Sequence, residues 1–493
     1  MPPTRPHVVM CVADEMRADG LSHHGNPAAV TPNADRLVED GVSFRHAYCQ
    51  VAECTPSRCS FLTGWYPHTR GYRNMSSMLR PEDPILIRRA RDAGYFTVWS
   101  TGRSFDPPDV GFGIKSFCER ACDGKADCDL DAMRSSGATD SSLCVGPLDD
   151  AVERGFSDWF ATDAAVDAIR SAPDDRPLFL HLDLAAPHPP YRIGRSWYDR
   201  IDPSRLPPRI AAPKDWSGLP SRYRLAWETN ETVRDWSESQ WDELRRTYYG
   251  ACARVDDHLG QVVAALKERG IYDETALFFF TDHGDFAGDY GMVDKWENTF
   301  PDVQMRVPLV VKPPRSSRPV PRISNAMVEL IDVSATIEEL TGIAQEHTTF
   351  GRSLLPVMRG ERDEHRDFVF AIGGGTHEER ERRLLGTGGE QKYRPEANGY
   401  PKQIAYTREG PEYGKAAMIR TRTHKYVMRL YEQDELYDLH SDPQELRNRI
   451  DDPSLAPHLA DLKERLLRFF FETGDILMRG RMEKGAWPPG RDR

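Results

Sequence analysis

A cysteine and an arginine stand four residues apart in AECTPSRCSFLTG, where Cys54 is followed by Thr55, Pro56, Ser57 and Arg58. If a helix begins here, Arg58 lies one turn from Cys54. A guanidinium so placed would lower the thiol pKa and would also bind an anion. The plainer alternative is a buried structural cysteine. Cys59 is too far from Cys54 for a CxxC redox pair and reads as packing. Elsewhere Asp14-Glu15 follows the apolar run HVVMCVA, and Asp282-His283 follows ALFFFT. Two strand ends delivering carboxylates and an imidazole to one place suit a divalent cation with mainly oxygen ligands. Taken singly, each aspartate reads sooner as a helix cap or turn former, and it is the pairing at two strand ends that reverses this. His188, held among prolines in APHPPY, and Lys295, twelve residues past His283, add an imidazole and a cation. Alone, these two suit a rigid surface loop and a solvated charge.

The elements that must carry these groups follow from the apolar pattern. Runs at 7–12, 96–100, 178–184, 276–281 and 307–311 are continuously apolar, as expected of strands covered on both faces. Helical character appears at 33–40, 164–171 and 241–269 between them, the last with apolar residues near helical spacing. This alternation predicts an α/β fold with a large, mostly parallel sheet between helices, its functional residues beyond the strands' carboxyl ends. From about residue 366 shorter strands at 368–372, 416–420 and 425–430 precede a helix at 456–473. The expected division is a catalytic α/β domain, 1–365, and a smaller antiparallel sheet with a helix, 366–493. Residues 106–150 and 190–240 read as loops or insertions. Arg192, Arg195 and Trp197 in the second could wall a pocket for a sugar and its acid groups or serve as packing. The segment 376–415 reads as a long loop.

Composition excludes some partners. The 493-residue chain carries a net charge of −12, against the basic surface that nucleic-acid binding needs. A few local cations and a metal still permit a small anionic substrate. The first residues show no signal-peptide pattern, and no run reaches the ~18 apolar residues of a membrane span. The expectation is a soluble, cytoplasmic protein. Nine cysteines without an export signal make disulfides a poor default. Cys118, Cys122, Cys128 and Cys144 cluster in one insertion, but their spacing fits no zinc pattern well.

CTPSR followed by LTG resembles the signature of type I sulfatases in the alkaline phosphatase superfamily. The resemblance extends to VADEMRAD, TPNADRLVEDGVSFRHAYC, APHPPY, FFFTDHGDFAGDYGMVDKW, RVPLVV, GRSLLPVMRG and ELYDLHSDPQE, in the family's order across nearly the whole chain. It implies that a formylglycine-generating enzyme oxidises Cys54 to formylglycine. The aldehyde's hydrate then attacks the sulfur of a sulfate ester, and its second hydroxyl lets the aldehyde re-form as sulfate leaves. It further implies one divalent metal, calcium before magnesium or manganese, held by Asp14, Glu15, Asp282, His283 and position 54. Arg58 would steady the diol, and His188 and Lys295 would face the sulfate and the leaving oxygen. Asn74, Arg103 and His68 match substrate-side positions, His68 with a loop-support role as its alternative.

Two departures from the family pattern stand out. Asp14-Glu15 replaces the usual Asp-Asp or Asp-Gln, and the longer glutamate changes the reach to a metal. Gly102-Arg103-Ser104-Phe105 replaces a Gly-Lys-x-His, so Phe105 leaves the base for sulfate release unassigned, with Asp106 or another histidine as candidates. Asp282-His283 also occurs in choline sulfatases and phosphonate monoester hydrolases, which makes phosphonate or phosphodiester hydrolysis the alternative activity. Ser57 leans towards sulfatase. The resemblance implies a sulfate-ester substrate, and the rings and arginines of 190–240 extend that expectation to a sulfated sugar.

Overall fold

The computed structural model describes residues 5–73, 79–101, 117–123, 145–379 and 410–476. Its strands are β1 (His7–Asp14), β2 (Val42–Tyr48), β3 (Phe96–Thr101), β4 (Arg120–Asp123), β5 (Gly146–Leu148), β6 (Leu178–Pro187), β7 (Arg192–Gly194), β8 (Thr275–Thr281), β9 (Arg306–Val307), β10 (Leu309–Lys312), β11 (Arg322–Glu329), β12 (Val369–Gly373), β13 (Ala416–Arg420), β14 (His424–Arg429) and β15 (Glu435–Asp438). The large sheet runs β11-β2-β10-β8-β1-β6-β3-β4, with β9 beside β2. β1 pairs in parallel with both β6 and β8, while β10 is antiparallel to its neighbours.

Alternate residues of β1 enter opposite cores. Val8, Met10 and Val12 pack on one face, Val9, Cys11 and Ala13 on the other. Both faces are dry, which is why these strands carry no polar alternation. The helix Glu238–Glu268 covers one face, its first turn closed by Ser237 and Gln240 in a reciprocal cap.

The apolar run at 307–311 is two strands, because Pro308 lacks the N–H that a continuous ladder needs. β2 and β11 are among the strands without a continuous apolar run. β2 contains Ser43, whose hydroxyl is satisfied by Nε2 of His23 and of His24 at 2.8 and 3.1 Å. β11 is an edge strand and begins half-exposed.

A second sheet, β12-β13-β14-β15, is antiparallel throughout. The helix Ala456–Thr473 packs on it through Leu462, Leu466 and Phe469. Phe469 stacks on Phe370 with ring centroids 3.7 Å apart. The two sheets are joined by buried charge. Asp302 accepts from Arg420 at 2.8 and 3.0 Å and from Lys425 at 2.8 Å. Among the described residues no helix is long and apolar enough to cross a membrane.

Candidate active site

The adjacent central strands β8, β1 and β6 end together, so the groups that follow them meet at one sheet edge. Such an edge is where ligands bind in open α/β sheets. β1 ends at Asp14, and the chain then turns sharply through Glu15, whose φ of 69° is rare for a non-glycine residue. Backbone of this kind persists only where its surroundings hold it. Here Asp282 holds it, since its Oδ1 accepts the Glu15 N–H at 3.1 Å and the His283 N–H at 2.9 Å. Gly284 follows because a Cβ there would collide with the Val303 carbonyl.

Cys54 opens the helix Cys54–Thr63, every residue of which is buried. Its Sγ lies 3.4 Å from Asp14 Oδ1 and 3.2 Å from His283 Nε2. Burial pushes this thiol up to about 12, with Lys295 pulling the other way. Arg58 pulls the thiol pKa down, as expected from its spacing, but burial outweighs it. The Arg58 guanidinium is taken by carboxylates. Nε donates to Asp282 Oδ2 at 2.8 Å, Nη1 to Asp183, and Nη2 to Asp14 Oδ2 at 3.5 Å. Arg58 thus braces the acids around Cys54 and cancels part of their charge.

His283 Nδ1 donates to the Gly284 carbonyl at 2.9 Å, which leaves the Nε2 lone pair facing Cys54 and Asp14. Burial lowers its pKa to about 4, so the ring is neutral and fit to ligate. Donor atoms of Asp14, Cys54, Asp282 and His283 all lie within 4.8 Å of one another. Four carboxylates (Asp14, Glu15, Asp183, Asp282) against two cations (Arg58, Lys295) leave a formal charge of −2 in this buried space. Oxygen donors, one neutral imidazole and that charge fit a divalent cation.

Glu15, expected as a ligand beside Asp14, falls in an overlapping group with Asp14 and His188. Its Oε2 accepts from Lys295 Nζ at 2.9 Å and lies 3.6 Å from His188 Nε2. Burial raises the Glu15 pKa and Lys295 opposes that rise. For Lys295, burial alone would lower the pKa, but Asp294, Cys54 and Glu15 reverse the net direction. His188 Nδ1 donates to the Pro189 carbonyl at 2.6 Å, so Nε2 is turned towards Glu15. Cys54, Arg58, Asp14, Glu15, Asp282, His283, His188 and Lys295 therefore stand together.

His68 does not join them. His68 Nε2 bonds Thr473 at 2.7 Å and its ring packs on Phe469 and Phe470, so it ties its loop to the C-terminal helix. Asn74, Arg103, Phe105 and Asp106 lie outside the described residues, as do Cys128 and Cys144. Trp197 is buried beside Trp159 and Ile193, and Arg192 is also buried. Trp197 packs the segment, Arg195 is exposed, and Arg192 lines a cavity of about 120 Å3 together with His188.

Sequence reasoning missed Asp183, hidden as the one acid in LFLHLDL. An ionisable residue inside an otherwise apolar buried strand was the available signal. It also missed the relay behind Lys295. Tyr191 donates to Asp285 Oδ2 and accepts from the Asp294 N–H, both at 2.7 Å.

A mixed sheet between helices, an antiparallel C-terminal sheet and an acid-rich site at the central strand ends define a hydrolase of the alkaline phosphatase superfamily. Residues 6–343 match the family model described as Sulfatase. The chain belongs to the sulfatase family, hydrolases of sulfuric esters. It is 26% identical over 536 residues to the multifunctional alkaline phosphatase superfamily protein PehA of Trinickia caryophylli, covering 96% of each chain. An arylsulfatase of Clostridium perfringens is 24% identical, with 94% of each chain covered. A phosphonate monoester hydrolase of Agrobacterium radiobacter shares the fold, with a TM-score of 0.75 at 23% identity over 95% of this chain and 96% of that one.

Proposed function

We propose that this protein hydrolyses a small sulfate ester to an alcohol and sulfate, with Cys54 matured to formylglycine as its nucleophile. The observation that carries the reading is the convergence of Cys54 on Asp14 and His283, with Arg58 behind it and Lys295 and His188 across from it. A protonated thiol held near pKa 12 is a poor nucleophile as it stands, which favours maturation over direct thiolate attack. Formylglycine supplies a hydrated aldehyde whose second hydroxyl allows the product sulfate to be expelled. A divalent cation, calcium first, would be held by Asp14, Asp282, His283 and residue 54, and would lower the pKa of a hydroxyl there.

The chain's own residues supply orientation and charge. Arg58 holds Asp14 and Asp282 in place through direct hydrogen bonds. Lys295 places an ammonium opposite the sulfate oxygens, where negative charge grows as the ester bond breaks. His188, with Nδ1–H committed to a carbonyl and Nε2 3.6 Å from the Glu15 carboxylate, would protonate the leaving alkoxide as the imidazolium, giving up its Nε2 proton and becoming the neutral ring. The tight burial of Cys54, Glu15 and Asp282 keeps bulk water from competing for these contacts.

Phosphonate monoester hydrolysis is the second reading, favoured by the fold shared with the Agrobacterium radiobacter enzyme. The test compares an aryl sulfate with a matched aryl phosphonate monoester. The protein is co-produced with a formylglycine-generating enzyme, and conversion at position 54 is verified by mass. A sulfate preference lost in Cys54→Ala supports the proposal, and choline sulfate and sulfated monosaccharides then define the alcohol. A phosphonate preference selects the second reading. Turnover that survives in Cys54→Ala refutes both.

A further inference from the structure

Away from Cys54, a cavity of about 400 Å3 opens between the turn after β1, the helix Glu238–Glu268 and the C-terminal sheet. Neither Cys54 nor any of Asp14, His188, Asp282, His283 and Lys295 lines it. Five arginines do, facing only three acids. The acids are already committed. Arg17 donates to Asp19 at 2.9 Å and to Asp289 at 2.8 Å, and Arg420 grips Asp302. Arg422 reaches out of the cavity to Glu364 at 2.6 Å.

Arg245 and Arg306 are left over. Arg245 is 5% exposed, and its ion-pair contact among the described residues is the half-exposed Asp242, 3.8 Å away. At that distance and exposure the pair contributes little. Arg306 has no side-chain hydrogen bond or ion pair among the described residues, and its Nε is buried without an acceptor. Arg306 is half-buried and acts electrostatically on Asp19 and Asp302, which are hydrogen-bonded to Arg17 and Arg420. Its buried Nε lacks an acceptor, which is costly, and an oxyanion is the group these planar forks match. The cavity also has room for more than one tetrahedral anion.

We propose that Arg245 and Arg306 form a second oxyanion site, separate from the Cys54 centre, for a sulfate or phosphate group that is either free or carried by a small solute. The site does not depend on the hydrolytic reading, since neither arginine touches the groups around Cys54.

The test uses the full, unmutated chain first. Crystals soaked in millimolar selenate are expected to show an anomalous selenium peak between the two guanidinium groups, and absence of that peak at saturating selenate overturns the proposal. In solution, equilibrium dialysis with labelled sulfate or phosphate counts anions bound per chain. Arg245→Met/Arg306→Met is expected to bind one fewer, or to bind that one at least tenfold more weakly. Unchanged stoichiometry and affinity in a double variant with wild-type circular dichroism also overturns it. Competition with a sulfated monosaccharide separates the sources. At least tenfold tighter displacement than by inorganic sulfate assigns a carried anion, and equal or weaker displacement assigns a free one.

Discussion

Asp183→Asn isolates the part of the site that sequence reasoning missed. Asp183 is fully buried, and its Oδ1 receives Arg58 Nη1. Asparagine keeps the volume and one oxygen for that hydrogen bond while removing the charge. At an effective dielectric constant near 20, unit charges about 4 Å apart interact by about 4 kcal/mol. Breaking a buried ion pair outright costs roughly 3–5 kcal/mol. With the hydrogen bond retained and Asp282 and Asp14 still on Arg58, a loss of roughly 2 kcal/mol in metal-free stability is expected. The formal charge of the site also falls from −2 to −1. Removing a group that orients metal ligands typically weakens the metal about 10- to 100-fold. The expected outcome for calcium is the lower end, about tenfold, because no direct ligand is lost. Urea unfolding in chelator measures the first quantity, and chelator-competition titration measures the second. Calcium affinity within twofold of wild type, together with an unchanged urea midpoint, would refute the bracing role assigned to Asp183.

Gly284→Ala drives a Cβ into the Val303 carbonyl beside His283, so calcium affinity should fall at least tenfold, or the protein should fail to accumulate in soluble form. Phe469→Ala removes a ring stacked on Phe370 and edge-on to Tyr66, and should cost roughly 3–5 kcal/mol by urea unfolding. Burial alone would raise the Asp302 pKa, but Arg420 and Lys425 pull it well below its ordinary 3.8. A depressed carboxylate contributes stability above the unfolded value and loses it as pH falls further. Urea midpoints should therefore drop below about pH 4, and Asp302→Asn should flatten that drop while lowering the plateau near pH 7. An identical acid limb in the variant would assign the loss to other groups.

The strands β1, β6 and β8 were legible because burial on both faces leaves an uninterrupted apolar run, and acids at their ends break that run abruptly. Asp14, Asp282 and His283 were visible for that reason, and Cys54 and Arg58 by their spacing. β2 was not, because its Ser43 is satisfied by histidines from a neighbouring turn, a pairing with no local pattern. The amino-acid sequence by itself determined which residue types were available and that the central strands would be buried. Only the tertiary structure decided what Arg58 does. Its guanidinium could have faced the thiol one turn away, but acids at 14, 183 and 282, brought in by three strands, satisfy all its nitrogens more fully. Only the fold decided that Glu15 meets Lys295, 280 residues on, and that His68 meets the C-terminal helix. Such partners are set by which strands lie side by side, and strand order is a property of the whole core.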